Sequence, residues 1–179
     1  MLRTILIFGV ASGLIVAVPM FLMLALAEPG GAHSSPLAGY LMMLLALSLI
    51  FVGVKRYRDR ALGGVIKFAP ALLVGLAISA VAGLIYVIGW EITLAATDYA
   101  FADTYSAALI EAERAKGAPP ADIERLAAEM EVFKAQYANP LFRLPMTFIE
   151  IFPVGLVISL ISAALLRNSR FLPARAAAR

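Results

Sequence analysis

The stretch MTFIEIFPVGLVISLISAALL, Met146 to Leu166, is apolar over almost its whole length, yet it carries Glu150 and Pro153 three residues apart. Crossing the hydrocarbon core of a bilayer takes roughly 20 mostly apolar residues in a helix, and this run, counted from about Pro145, is long enough. Three more qualify: about Thr4 to Ala27, Pro36 to Val54 and Phe68 to Ala95. All are too long and too uniformly apolar for the alternating strands of an outer-membrane barrel. Their peptide groups must therefore be satisfied within helices. The expectation is an all-α integral membrane four-helix bundle, residues 1–179 forming a single membrane domain.

Composition agrees, with 62% hydrophobic and 15% charged residues, against about 45–50% and about 25% in soluble domains. Absence of cysteine excludes a disulfide, a thiol nucleophile and a thiolate metal site, and a single histidine, His33, is too few for a His-based triad or zinc cluster. The reading is accordingly of no enzyme, no metal and no cofactor. There is no phosphate-cradling glycine loop, and the basic residues are not interleaved with stacking aromatics, so nucleic acid is not an expected partner despite the net charge of +3. The sequence LALAEPG has Ala25 and Ala27 at the spacing a signal peptidase reads. An apolar run of about 24 residues preceded only by Arg3 argues for a retained span instead.

Ten of the fifteen basic residues fall at the N-terminus, in the second connection and in the tail: Arg3, Lys55, Arg56, Arg58, Arg60, Lys67, Arg167, Arg170, Arg175 and Arg179. Basic residues near spans resist translocation, so both termini are expected in the cytoplasm. The connection between the third and fourth spans then lies outside. Within it, residues 98–139 predict a helical hairpin: Phe101, Tyr105, Ala108 and Ala112 recur at helical spacing, KGAPPAD makes the turn, and Ile123, Leu126, Met130, Phe133 and Tyr137 form a second stripe. Asn139-Pro140 ends it. These stripes zip the hairpin together, or leave part of a face to dock a protein partner or the membrane surface.

GVKRYRD followed by Gly63, Gly64 and Phe68, KGA in the hairpin turn, and YANPLF with TFIEIFPVGLVISLISA after it together resemble a bacterial family catalogued as domain of unknown function family 4199. The resemblance covers nearly the whole chain, and its last block is the most specific. Pro119-Pro120 departs from the small polar residues expected in the turn. The resemblance implies a bacterial integral membrane protein and supplies neither an activity nor a catalytic residue.

Two carboxylates lie inside the apolar runs. Glu91 is about four residues from the outer end of the third span, and Glu150 about five from the outer end of the fourth, or roughly 6 to 8 Å below the same boundary. If they meet, they make a candidate intramembrane carboxylate site with Thr147 and Tyr40, His33 also being within reach, and it would hold a proton or a cation. If they do not, each reaches separately to the headgroups. Pro153 frees the carbonyl of Ile149 within a turn of Glu150; it reads as a packing kink, as does Pro19.

Small residues recur every four positions: Gly9 and Gly13 in the first span, Gly75, Ser79 and Gly83 in the third, Gly155, Ser159 and Ala163 in the fourth. Such lines let helices approach closely, within the chain or in a homo-oligomer. Ala82 falls off its line, so Gly83→Leu is expected to be far more disruptive than Ala82→Leu. Lys55, Arg56, Arg58 and Arg60 set topology, with the alternative that they bind lipid headgroups of the bilayer. For function the sequence favours a non-enzymatic membrane accessory protein acting through its packed helices and outer hairpin. The alternative is a small proton- or cation-coupled transporter or channel subunit using Glu91 and Glu150.

Overall fold

The computed structural model describes residues 1–25 and 36–174. His33 and the Ala27 position of the signal-peptidase spacing lie outside the described residues, as do Arg175 and Arg179. In chain order the helices are α1 (Leu2–Ala25), α2 (Pro36–Leu47), α3 (Leu49–Ala61), α4 (Phe68–Ala96), α5 (Phe101–Ala115), α6 (Pro120–Tyr137) and α7 (Pro140–Leu166), and the described residues contain no strand. The α2 and α3 helices are two parts of one span, interrupted only at Ser48. Four segments are long and apolar enough to cross a membrane: Leu2–Leu24, Leu37–Ala61, Phe68–Ala96 and Pro140–Leu166. They mark the chain as a membrane protein.

Two spans outrun their expected limits, each for a local reason. The second continues past Val54 through KRYRDR to Ala61, because Lys and Arg are good helix formers and Lys55 pairs with Asp59 one turn on, at 2.5 Å. It stops where Gly63 and Gly64 take positive φ, +65° and +92°, which lets the amides of Leu62 and Gly64 fold back onto the carbonyl of Arg58. The fourth begins at Pro140, not Pro145. Asn139 caps it by accepting from the Leu141 amide at 3.0 Å, and Pro140 supplies a preset φ where no amide is needed. Pro145 and Pro153 lie inside the helix.

The α4 helix packs between α1 and α7, and the second span touches all three. Ile50, Val54, Ile78, Ala82, Ala163 and Leu166 are fully enclosed where they meet, whereas Leu45, Leu73, Leu84 and Ile149 point outward. That outward apolar surface belongs against lipid tails. Without a hydrophobic drive between helices in lipid, close van der Waals packing carries the association, and the small residues provide it. A Cβ added at Gly9 or Gly13 would lie 2.5 Å from Cβ of Val81 or Ile85 on α4. Gly75 faces Ser159, Gly155 faces Ser79, and Gly83 is covered by the Phe148 ring. Ser159 donates to the Gly155 carbonyl at 2.7 Å and lies 3.4 Å from the Ser79 hydroxyl.

The structure gives no ground for the expected contrast between Gly83 and Ala82. Ala82 is fully buried, and its carbonyl lies 2.9 Å from where a Cβ on Gly13 would be. The α4 helix has close neighbours on two sides, so both residues sit in tight seams, one toward α7 and the other toward α1.

The connection from α4 to α7 is the expected hairpin, α5 packing on α6 with Gly117 at φ +76° in the turn. It is seated on the spans through aromatic rings. Phe101 meets Trp90 of α4 edge-on at 4.8 Å, and Tyr105, Phe133 and Tyr137 extend the cluster. Lys134 of α6 reaches Asp103 of α5 at 3.1 Å.

Candidate functional site

The α4 and α7 helices run antiparallel, so residues ascending one face residues descending the other, in rungs. Ser79 with Ser159, Tyr86 with Glu150, and Glu91 with Arg143 are successive polar rungs. This register separates the two carboxylates. Glu91 receives two parallel hydrogen bonds from Arg143, Nε to Oε1 at 2.7 Å and Nη2 to Oε2 at 2.8 Å. Glu150 instead accepts from the Tyr86 hydroxyl at 3.1 Å. Arg143 and Glu150 are seven residues apart on α7, about 10 Å along the axis. The shared Glu91–Glu150 site is therefore corrected: starting α7 five residues early puts Arg143 inside the helix, level with Glu91, and Glu150 two turns deeper.

Arg143 is the residue that sequence reasoning missed. It is 4% exposed, and besides Glu91 it donates through Nη1 to the carbonyl of Tyr137 at 2.9 Å, at the C-terminal end of α6, while its guanidinium stands over the rings of Tyr99 and Tyr137. One side chain thus ties α4, α6 and α7 together. A signal was available: Glu91 is the sole charged residue of Phe68–Ala96, and Arg143 the sole basic one of Pro140–Leu166. Charges inside membrane spans pair with one another.

The other sequence-predicted members divide. Thr147 is buried and donates to the Arg143 carbonyl at 3.0 Å, holding the turn between the two rungs. Tyr40 remains exposed at 51%. Thr147 and Glu150 line a cavity of about 550 Å³ among the described residues, in which α2 contributes Ala38, Gly39, Met42 and Met43. Met20 and Met23 of α1 and Tyr86 and Trp90 of α4 form further wall, and hairpin aromatics close over it. Trp90 donates from Nε1 to the Tyr137 hydroxyl at 2.6 Å. Burial pushes that hydroxyl above the usual tyrosine range, so at neutral pH it keeps its proton while accepting from the indole. Hydrogen bonds that Lys134 donates to Glu131 and Asp103 raise its ammonium above the usual lysine range, keeping it charged across the hairpin.

At the far end of the spans a second arginine is buried. Arg58, 0% exposed, donates to the carbonyls of Phe171 at 3.0 Å and Leu172 at 2.5 Å and pairs with Asp59 at 2.7 Å. The headgroup-binding alternative does not fit Arg58, since its guanidinium is consumed by the segment following α7. Arg56 and Arg60 are exposed and Lys55 is half-buried against Asp59.

No group of three or more metal-ligating acids or histidines occurs among the described residues. The architecture defines a class: a membrane protein with four spans and a helical hairpin clamped onto their ends. The chain belongs to the family described as Protein of unknown function (DUF4199), which it matches over residues 6–168, reaching all four spans and the hairpin. No curated protein and no solved structure matches it.

Proposed function

We propose that the protein is a non-enzymatic accessory protein of a bacterial inner membrane, with both termini cytoplasmic, whose hairpin is a rigid extracytoplasmic platform for a protein partner. The observation that carries this reading is the attachment of the hairpin: Arg143 joins α6 to α4 and α7, and Trp90 joins it again through Tyr137. A hairpin pinned at two points keeps its outer face in a fixed pose, which spares a partner the entropy of ordering it. The hairpin carries exposed Glu111, Glu124 and Glu129. The uneven distribution of basic residues supports the orientation. Engagement of Glu91 by Arg143 weighs against the transporter alternative, since a carboxylate held by two hydrogen bonds from a guanidinium is poorly placed to exchange a proton or a cation.

The test compares partners copurified from native membranes by the full chain and by a Glu111→Lys, Glu124→Lys, Glu129→Lys variant with an unchanged thermal transition. Loss of a defined partner from the variant supports the platform. Identical partner lists, together with proton or cation flux in proteoliposomes, overturn it in favour of transport.

A further inference from the structure

The cavity beneath the hairpin, walled in part by hairpin rings, has a chemistry of its own. It combines an apolar, methionine-rich wall from α1 and α2 with the rings of Tyr86, Trp90, Phe101 and Tyr137, and Glu150 is its only charged lining residue among those described. Tyr86 is the only hydrogen-bond partner of Glu150 among the described residues. Arg143, the nearest base on α7, is taken by Glu91. The segment joining α1 to α2, residues 26–35, contains His33 and neither Lys nor Arg. Among the described residues the carboxylate thus lacks a basic partner on its own rung, while aromatic rings line the same cavity. Carboxylate and aromatic faces together suit an ammonium ion, and methionines adapt to slender apolar chains.

We propose that this cavity binds an amphiphile with an ammonium head, the head at Glu150 among the rings and the apolar body along α1 and α2. Its volume, about 550 Å³, lies within the roughly 300–1,000 Å³ usual for small-molecule sites. Both a free alkyl amine and an ethanolamine-headed membrane lipid present this chemistry.

Trp90, the single tryptophan, lines the cavity and reports its occupancy. The whole protein in maltoside micelles is titrated with a bromine-tipped dodecylammonium, and with the alcohol of the same chain at equal mole fraction. The amine should quench Trp90 saturably, unbrominated amine should reverse the quench, and the alcohol should bind about tenfold more weakly. Glu150→Gln should abolish the difference between the two. Glu111→Gln, which removes an exposed carboxylate of the hairpin outside the cavity lining, should keep the amine preference. A brominated phosphatidylethanolamine in the same micelles separates the sources: quenching by it assigns the site to a membrane lipid, and quenching by the single-chain amine alone to a free amphiphile. Equal quenching by amine and alcohol overturns the proposal, as does an amine preference that survives in Glu150→Gln or vanishes in Glu111→Gln.

Discussion

Arg143 and Glu91 meet through two parallel hydrogen bonds, 2.7 and 2.8 Å long, across the seam between α4 and α7. Arg143 is 5% exposed at its side chain and Glu91 27%, so neither charge is well solvated if the other is removed. Breaking such a pair from one side costs about 3–5 kcal/mol, whereas replacing both partners with apolar residues is far less costly. Arg143→Met should therefore lower stability by about that amount, and Glu91→Met, Arg143→Met by clearly less than the two single changes combined. Denaturant unfolding in detergent, arranged as a double-mutant cycle, measures the coupling. Additive losses would show that the pair contributes nothing beyond its separate members.

Arg58 organises the opposite end of the molecule, donating to Phe171 and Leu172 while Phe171 packs edge-on against Phe51 at 6.3 Å. Arg58→Ala should release this segment, and trypsin should then cut at Arg167 or Arg170 at least severalfold faster than in the parent. Arg58→Lys should restore little, because an ammonium is a point charge and lacks the planar fork that spans two carbonyls. An unchanged cleavage rate in Arg58→Ala would mean that the tail is held by Phe171 alone.

Glycines of the same sequence type should respond oppositely to alanine. At Gly13 the new methyl would lie 2.5 Å from Ile85 Cβ, so Gly13→Ala must push α1 off α4, at about 1–3 kcal/mol. At Gly39 nothing lies within 4 Å, and Gly39→Ala should be neutral or gain about 0.4–1 kcal/mol. Thermal transitions of the two variants, read side by side, test whether close approach or helix propensity governs.

Tyr137 links stability to pH. Its folded hydroxyl titrates above the ordinary tyrosine range because it is buried, whereas in the unfolded chain it ionises near pH 10. The unfolded state therefore loses its proton first, and the contribution of Tyr137 is intact below about pH 10 and lost as pH rises through the folded value. Tyr137→Phe should cost about 1–3 kcal/mol at neutral pH by leaving the indole of Trp90 without its acceptor. It should also flatten the alkaline fall in stability. An alkaline limb as steep as the parent's would assign it to other tyrosines.

The proposed orientation predicts that an alkaline phosphatase reporter fused at Gly117 is active, since that enzyme matures only in an oxidising compartment, and silent at Arg60. Activity at Arg60 and silence at Gly117 would invert the protein in its membrane.

The sequence by itself determined the helical class, the four spans and the hairpin with its turn at Gly117. Each is a statement about neighbours along the chain: hydrocarbon leaves a backbone no choice but a helix, and the apolar period of α5 and α6 needs no distant partner. The small residues at Gly9, Gly13, Gly75 and Gly155 were likewise legible, because packing without side chains leaves a four-residue signature. Tertiary structure alone decided which polar groups meet. Apolarity does not set the register of α7 against α4; the Asn139 cap and the glycine seams do, and a shift of a few residues moves a polar side chain to another rung. That register sends Glu91 to Arg143 and leaves Glu150 to Tyr86 and the cavity. It also turned Arg58 from a surface charge into a buried clasp, since the segment following α7 returns over it, a contact across more than 100 positions of sequence that no local pattern encodes.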